Sequence, residues 1–218
     1  MTGTPFAWAD PARLAVRLMD RAAAGRVIVG ICGAPGAGKS TFAALLADEL
    51  NAGRPGTALV VPMDGFHLAA SVIAGDDRAT RRGAPDTFDP AGYAALLRRL
   101  RANLDDVVYA PEYRREIEDP VAGAIAVPRD CPVVLTEGNY LLHPEPDWRR
   151  VRQSLDEVWF LEAPDEQLRV ERLIERHERF GKSPEHAEAH VLDTDQRNAE
   201  LVAGHRDDAD LVLRQDSW

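Results

Sequence analysis

VIVGICGAPGAGKST, residues 27–41, runs from an apolar hexapeptide into a glycine-rich loop that closes on Gly38, Lys39 and Ser40. The hexapeptide 27–32 does not alternate apolar with polar residues, as expected of a strand covered on both faces in a parallel sheet. Gly33, Ala34, Pro35, Gly36, Ala37, Gly38, Lys39 and Ser40 then complete a G-x-x-x-x-G-K-[ST] pattern, with Thr41 opening a helical stretch near 40–50. Glycines let backbone N–H groups wrap a phosphate, and the helix N-terminus behind them adds a favourable dipole. Lys39 is placed to reach the β- and γ-phosphates and the Ser40 hydroxyl to ligate Mg²⁺. The competing reading is a glycine-rich loop with an incidental lysine. Lys39 is one of only two lysines in the chain, the other being Lys182, and the match sits between a strand and a helix, so the phosphate reading is the better one.

Working outward, the buried-strand character of 27–32 recurs in ALVV (58–61), PVVLT (132–136) and VWFL (158–161), with helical patterns near 90–102 and 164–179 between them. Ahead of them, Asp10 and Pro11 read as a helix cap and first turn, with Leu14 and Leu18 on one face and Gly25 as a stop. Strands alternating with helices predict an α/β protein of three layers, the P-loop NTPase fold, with a mainly parallel five-stranded sheet. VVPMDGFH (60–67) ends one apolar run on Asp64. Asp-Gly between hydrophobics is also a hairpin signal, yet no second strand follows within hairpin range. In open α/β sheets ligands gather at the carboxyl ends of the strands, which is where Asp64 lies. Glu137, in VVLTEGNYLL, ends another run in the same way. The pair reads as two carboxylates aimed at a bound triphosphate, with Ser40 and Glu137 as metal-side oxygens.

The bulk numbers narrow the class of partner. A formal charge of −10 over 218 residues argues against general binding to nucleic acid or to an anionic membrane, so any anion must be gripped locally. Cys32 and Cys131 show no metal-ligand spacing and read as buried free thiols, as in a cytoplasmic protein. Asp10, Arg13, Arg17, Asp20 and Arg21 interrupt what would otherwise be an apolar leader, and no run of about 18 apolar residues is present. A guanine-binding N/T-K-x-D motif is absent, since both lysines are otherwise placed. The length suits a single kinase domain, 1–218, better than a large ATPase machine.

GAPGAGKST, MDGFH, RRGAPDTFD, APEYRREIEDP, LTEGNYLL and RLIERHERFGKSPEHA, in that order, resemble the family of P-loop kinases that includes uridine/cytidine kinase, phosphoribulokinase and bacterial pantothenate kinase. The likeness runs from Arg26 to the last strand and is nearest to short bacterial proteins described as nucleoside/nucleotide or fructose-type sugar kinases. It implies ATP and Mg²⁺ as cofactors and a small-molecule alcohol as acceptor. It further implies Asp64 as the group that takes the acceptor proton and stands beside the metal, Glu137 as a metal-associated acid, and Arg172 and Arg176 as arginines closing over the phosphates with Lys39. His67, Arg82, Asp86, Phe88 and Tyr113 fall in the acceptor-side segments. The chain departs from the uridine kinase pattern at His67 and Arg114 and is shorter than the pantothenate kinases. A sugar or polyol is therefore the expected acceptor, then a nucleoside or riboside. The alternative of another class is a nucleotide sensor on the same scaffold. A homodimer is compatible with the family.

At 100° per residue, Arg169, Arg172, Arg176 and Arg179 occupy about one quarter of a helix circumference. Like charges at these spacings cost a few tenths of a kcal/mol per pair, so the stripe predicts an anion opposite it. The competing reading is a solvated face neutralised by Glu175 and Glu178. Gly181 and Pro184 then mark a break before a helix near 185–203, giving a small helical lid over about 169–190.

Overall fold

The computed structural model describes residues 6–215. In chain order the elements are β1 (Phe6–Trp8), α1 (Pro11–Ala22), β2 (Val27–Cys32), α2 (Lys39–Gly53), β3 (Ala58–Val60), α3 (Ala70–Ile73), α4 (Pro90–Ala102), β4 (Val107–Arg114), β5 (Asp119–Pro128), β6 (Val133–Gly138), α5 (Pro146–Gln153), β7 (Glu157–Leu161), α6 (Glu166–Arg179), α7 (Pro184–His190), α8 (Gln196–Ala203) and β8 (Leu211–Arg214). The principal sheet has six strands in the order β1-β8-β7-β2-β6-β3, every pair parallel. The expected count of five falls short by β1. Its three residues pair with Val212, Leu213 and Arg214, a contact too short to leave a periodic signal.

Strand residues alternate between two apolar layers, which explains why their sequences do not alternate in polarity. Ile28, Val134, Val158 and Val212 face a layer that includes Tyr93 and Leu97 of α4, Trp148 and Val151 of α5 and Val202 of α8. Val29, Ile31, Leu135, Trp159 and Leu161 face Leu14 and Leu18 of α1 and Phe42 and Leu46 of α2. The Asp10 side chain caps α1 by accepting from the Ala12 and Arg13 amides, as its sequence signature requires.

Three features that the sequence reading did not specify shape the site. β4 and β5 form an antiparallel hairpin, and its turn carries Arg115 beside Asp64. The stretch after Asp64 is a 3₁₀ turn, Met63–Phe66, followed only by the single short turn of α3. The final helical pattern is broken into α7 and α8 by a π-helical stretch, Val191–Asp195, of the kind that often marks functional segments.

Register brings the predicted acids together. β6 lies between β2 and β3, with Ile31 opposite Glu137 and Val60 opposite Leu135. The three carboxyl ends are therefore adjacent. A buried polar chain supports this edge: Tyr93 Oη and the Thr136 hydroxyl share a hydrogen bond, and Thr136 Oγ1 donates to the Val61 carbonyl at 2.5 Å. Thr136→Val strands the Val61 carbonyl and the Tyr93 hydroxyl in the core and is expected to cost about 1–3 kcal/mol in urea unfolding. Adding Tyr93→Phe to Thr136→Val should cost less than the sum of the two single changes, because both remove the same network.

Candidate active site

The loop between β2 and α2 wraps the base of a cavity of about 550 Å³ lined by Pro35, Gly36, Gly38, Lys39, Ser40 and Thr41. Gly33, Ala34 and Ala37 complete the loop behind that lining. Gly36 has φ +78, and a Cβ there would stand 2.8 Å from Leu173 Cγ and 3.0 Å from the Arg169 carbonyl oxygen, so glycine is needed both for the backbone and for the approach of α6. Lys39 Nζ donates to the Ala34 carbonyl at 2.9 Å and to Asn139 Oδ1 at 2.7 Å. Burial pushes the Lys39 ammonium below its usual range, opposed by the charge of Glu137.

Glu137 is buried and accepts a hydrogen bond from Ser40 Oγ at 2.9 Å. Its pKa is raised, first by burial and then by the negative charge of Asp64. Two carboxylates that repel one another, with a hydroxyl on one of them, make a set of hard oxygen donors that a divalent cation such as Mg²⁺ would relieve. The residues present fit that ion.

Opposite the loop, Asp64, His67, Phe88, Tyr113, Arg82 and Arg115 form a second wall. The His67 ring lies 4.0 Å from that of Phe88 and 4.7 Å from that of Tyr113, and His67 Nδ1 is 2.8 Å from the Asp64 carbonyl oxygen. The ring thus steadies the turn that carries Asp64. Gly65 is not simply a way out of the strand. A Cβ on it would collide with the Pro111 carbonyl oxygen of β4, so the absent side chain is what lets the hairpin seat against Asp64.

The structure divides the arginine stripe. Arg172 and Arg176 line the cavity, whereas Arg179 is exposed. Arg169 is 1% exposed and donates to the Pro35 carbonyl at 2.9 Å and to Gln196 Oε1 at 2.5 Å, while also pairing with Glu166. It ties the loop to α6 and α8, and no anion is needed to explain its charge. Asp86, expected on the acceptor side, pairs with Arg81 and does not line the cavity. Arg82, its neighbour in the motif, does.

Asn139, Arg115, Lys182, His177, His190, Asp195 and Asn198 also line the cavity, and none of them is among the residues the sequence reading assigned to the site. Asn139 could have been found from the family-like LTEGN stretch. Arg115 comes from a hairpin turn and Asp195 from the π-helical stretch, which no periodicity announces, while His177 stands on α6, Lys182 just after it, His190 at the end of α7 and Asn198 on α8. His177 Nε2 lies 2.9 Å from Asp195 Oδ2, and with His190 these residues offer ligand atoms within 4.8 Å of one another. The Asp195 carboxylate is already countered by His177 and Arg176, so this group serves to lock α6 to the segment after it.

Comparison with known proteins follows the same lines. Over 199 residues the chain is 34% identical to a Schizosaccharomyces pombe protein named "Putative uridine kinase C227.14", covering 87% of this chain and 83% of that one. It belongs to the uridine kinase-like family of P-loop kinases. An Escherichia coli protein, "Uncharacterized protein YggC", is 35% identical over 190 residues, 86% of this chain and 77% of its own. Among solved structures, that of a "putative fructose transport system kinase" from Silicibacter sp. TM1040 superposes with a TM-score of 0.82 at 36% identity, covering 93% of this kinase and 98% of that chain. YFH7 from Saccharomyces cerevisiae shares the fold at a TM-score of 0.81 and 18% identity, over 96% of this chain and 100% of that one. No family model matches the chain. Among the described residues no helix is long and apolar enough to cross a membrane.

Burial holds the His67 imidazole pKa below the 6.5 of a free histidine. The unfolded chain therefore takes up this proton more readily, and the associated stability is complete above about pH 6.5 and is lost as the pH falls below it. His67→Phe, which keeps a ring between Phe88 and Tyr113, should flatten the loss of urea stability between pH 7 and 5.5. Gly65→Ala should lower the melting temperature by several degrees, because the Pro111 backbone cannot move aside cheaply.

Proposed function

We propose that the protein transfers the γ-phosphoryl group of ATP to a hydroxyl of a sugar or polyol, within one kinase domain whose lid spans about 169–190. The observation that carries this reading is the meeting of three strand ends on one cavity: Lys39 and Ser40 beyond β2, Glu137 on β6 and Asp64 beyond β3. Mg²⁺, held by Ser40, Glu137 and Asp64, would supply charge neutralisation at the phosphates when bound. Lys39 and the loop amides orient the triphosphate, and Arg172 and Arg176 cover its far side.

Asp64 accepts the proton of the attacking hydroxyl as its oxygen bonds to the γ-phosphorus. The bond from that phosphorus to the bridging oxygen breaks, and ADP leaves with the electron pair. Phosphoryl transfer asks mainly for positioning and electrostatics, which the loop and the two arginines are built to provide. A closed lid keeps water from competing with the acceptor.

The names of relatives point to two acceptor classes, uridine and fructose. We favour a sugar or polyol because His67 and Arg114 break the uridine kinase pattern, and because the wall around Asp64 mixes two guanidinium groups with three rings. A reducing compartment suits Cys32 and Cys131, both buried and unpaired.

ADP release measured against sugars, polyols, nucleosides and pantothenate should rise with a member of the first two groups. The same panel failing throughout would favour a nucleotide sensor. Asp64→Asn should lower turnover by about 10²–10⁴-fold while binding of a non-hydrolysable ATP analogue, followed by calorimetry, stays within a few-fold of wild type. Near-normal turnover in that variant would remove Asp64 from the role of base.

A further inference from the structure

The cavity is cationic in an acidic protein. Six of its lining side chains are Lys or Arg and four are Asp or Glu, against a net charge of −10 for the whole chain. Lys39, Arg172 and Arg176 lie toward the nucleotide, and Asp64 and Glu137 toward the metal and the reacting hydroxyl. Of the rest, Lys182 has the charges of Asp195 and Glu118 beside it. Arg82 and Arg115 stand on the acceptor side, and both are incompletely satisfied.

Tyr113 holds the two guanidinium groups close together. Its ring centre is 5.6 Å from the Arg82 guanidinium carbon and 6.0 Å from that of Arg115, which also sits 5.6 Å from the ring of Phe180 at the end of α6. Arg82 donates through one nitrogen to Asp119 at 3.0 Å and to the Leu68 carbonyl at 3.3 Å, and its Nε is buried with no hydrogen-bond partner among the described residues. A buried donor left unpaired is costly and calls for a partner. Among the described residues, the one ion pair of Arg115 is with Asp64 Oδ2 at 3.7 Å, beyond hydrogen-bond length. Asp64 must turn that charge to the acceptor hydroxyl during reaction, and Arg115 then faces the like charge of Arg176. Arg78 and Arg81, from the same basic stretch, show the contrast: each is closed by its own carboxylate, Asp76 and Asp86, outside the cavity.

We propose that the acceptor itself carries an anion, a carboxylate or a phosphate monoester, which Arg115 and Arg82 hold beside Tyr113 while Asp64 receives the proton of its hydroxyl. This rests on the kinase reading and narrows it to a sugar acid, polyol acid or phosphorylated sugar. The planar fork of each guanidinium suits either oxyanion, and stacking on Tyr113 orders the forks before substrate arrives. The charged group supplies binding, and the cost of failing to supply it falls on neutral sugars.

The test has two readouts. With Mg²⁺ and a non-hydrolysable ATP analogue saturating the loop, orthophosphate is expected to raise the melting temperature of the wild type. Arg115→Met should abolish that rise and Arg78→Met should leave it intact. No rise in the wild type, or one that survives in Arg115→Met, overturns the proposal. In turnover, the sets glycerol, glycerate and glycerol 3-phosphate; ribose, ribonate and ribose 5-phosphate; and fructose, gluconate and fructose 6-phosphate are compared. Charged members should be preferred, with KM raised about 10- to 100-fold by Arg115→Met, and the acid and phosphate arms separate the two oxyanions. A preference for neutral members overturns the anionic acceptor and leaves the kinase reading standing. Failure to bind the ATP analogue instead removes the kinase reading, and the orthophosphate result then still decides whether the anion site exists.

Discussion

The parallel pairing of β6 with β2 on one side and β3 on the other is the constraint on which the site depends. Hydrogen bonds place Glu137 opposite Ile31 and Leu135 opposite Val60, so the segments leaving β2, β6 and β3 emerge side by side. A slip of one residue in either pairing would turn the strand side chains to the opposite layer and carry Glu137 away from Ser40. Burial of both sheet faces makes such a slip expensive, because Val29, Ile31, Ile28 and Val134 are all fully buried in their present layers. The accuracy of the catalytic geometry thus comes from core packing.

A second tier of organisation joins the glycine-rich loop to α6. Gly36 lets α6 approach to contact distance, and Arg169 fastens that approach through the Pro35 carbonyl and Gln196. The first turns of α6 are therefore tied to the loop, while Arg172 and Arg176 lie further along the same helix and line the cavity. Phe180 at its end touches the guanidinium of Arg115 in the β4–β5 turn. Loop, α6 and hairpin meet around one volume, so the charges that line it come from all three. Arg176 illustrates it: burial and the nearby Arg115 both lower its pKa, a state that bound oxyanions would relieve.

Charge is distributed unevenly for a reason that bulk composition hides. Outside the cavity many arginines pair with carboxylates, as with Arg17 and Arg21 on Glu157, Arg101 on Asp156 and Arg206 on Glu162. Glu157 is buried between its two arginines, whereas the more exposed pairs contribute little individually. Inside the cavity the acidic balance of the chain is reversed, with six Lys or Arg side chains against four Asp or Glu. An acidic protein can in this way keep a cleft whose lining is basic on balance.

Much of the fold was legible in sequence because its signals are local. The non-alternating runs at 27–32 and 132–136, the complete phosphate-loop pattern at 33–40 and the acids at the ends of apolar runs need only neighbouring residues to be read. β1 was not legible, because three residues carry no period, nor was the β4–β5 hairpin, whose face toward solvent is not regularly polar. The stripe at 169, 172, 176 and 179 shows where local reading stops: helical geometry correctly placed the four arginines on one face, but which of them meets a backbone carbonyl, which lines the cavity and which meets water depends on what packs there. The same holds for Asp86 and Arg82, near neighbours in one motif and opposite in placement. The sequence by itself determined the type of sheet, the phosphate cradle and the pair of carboxylates, since strand burial and loop conformation follow from residues close in the chain. Only the tertiary structure decided that Arg115, Asp64 and Tyr113 share one wall and that Arg169 is a strut, because charges interact through space and their partners lie on segments far away in sequence.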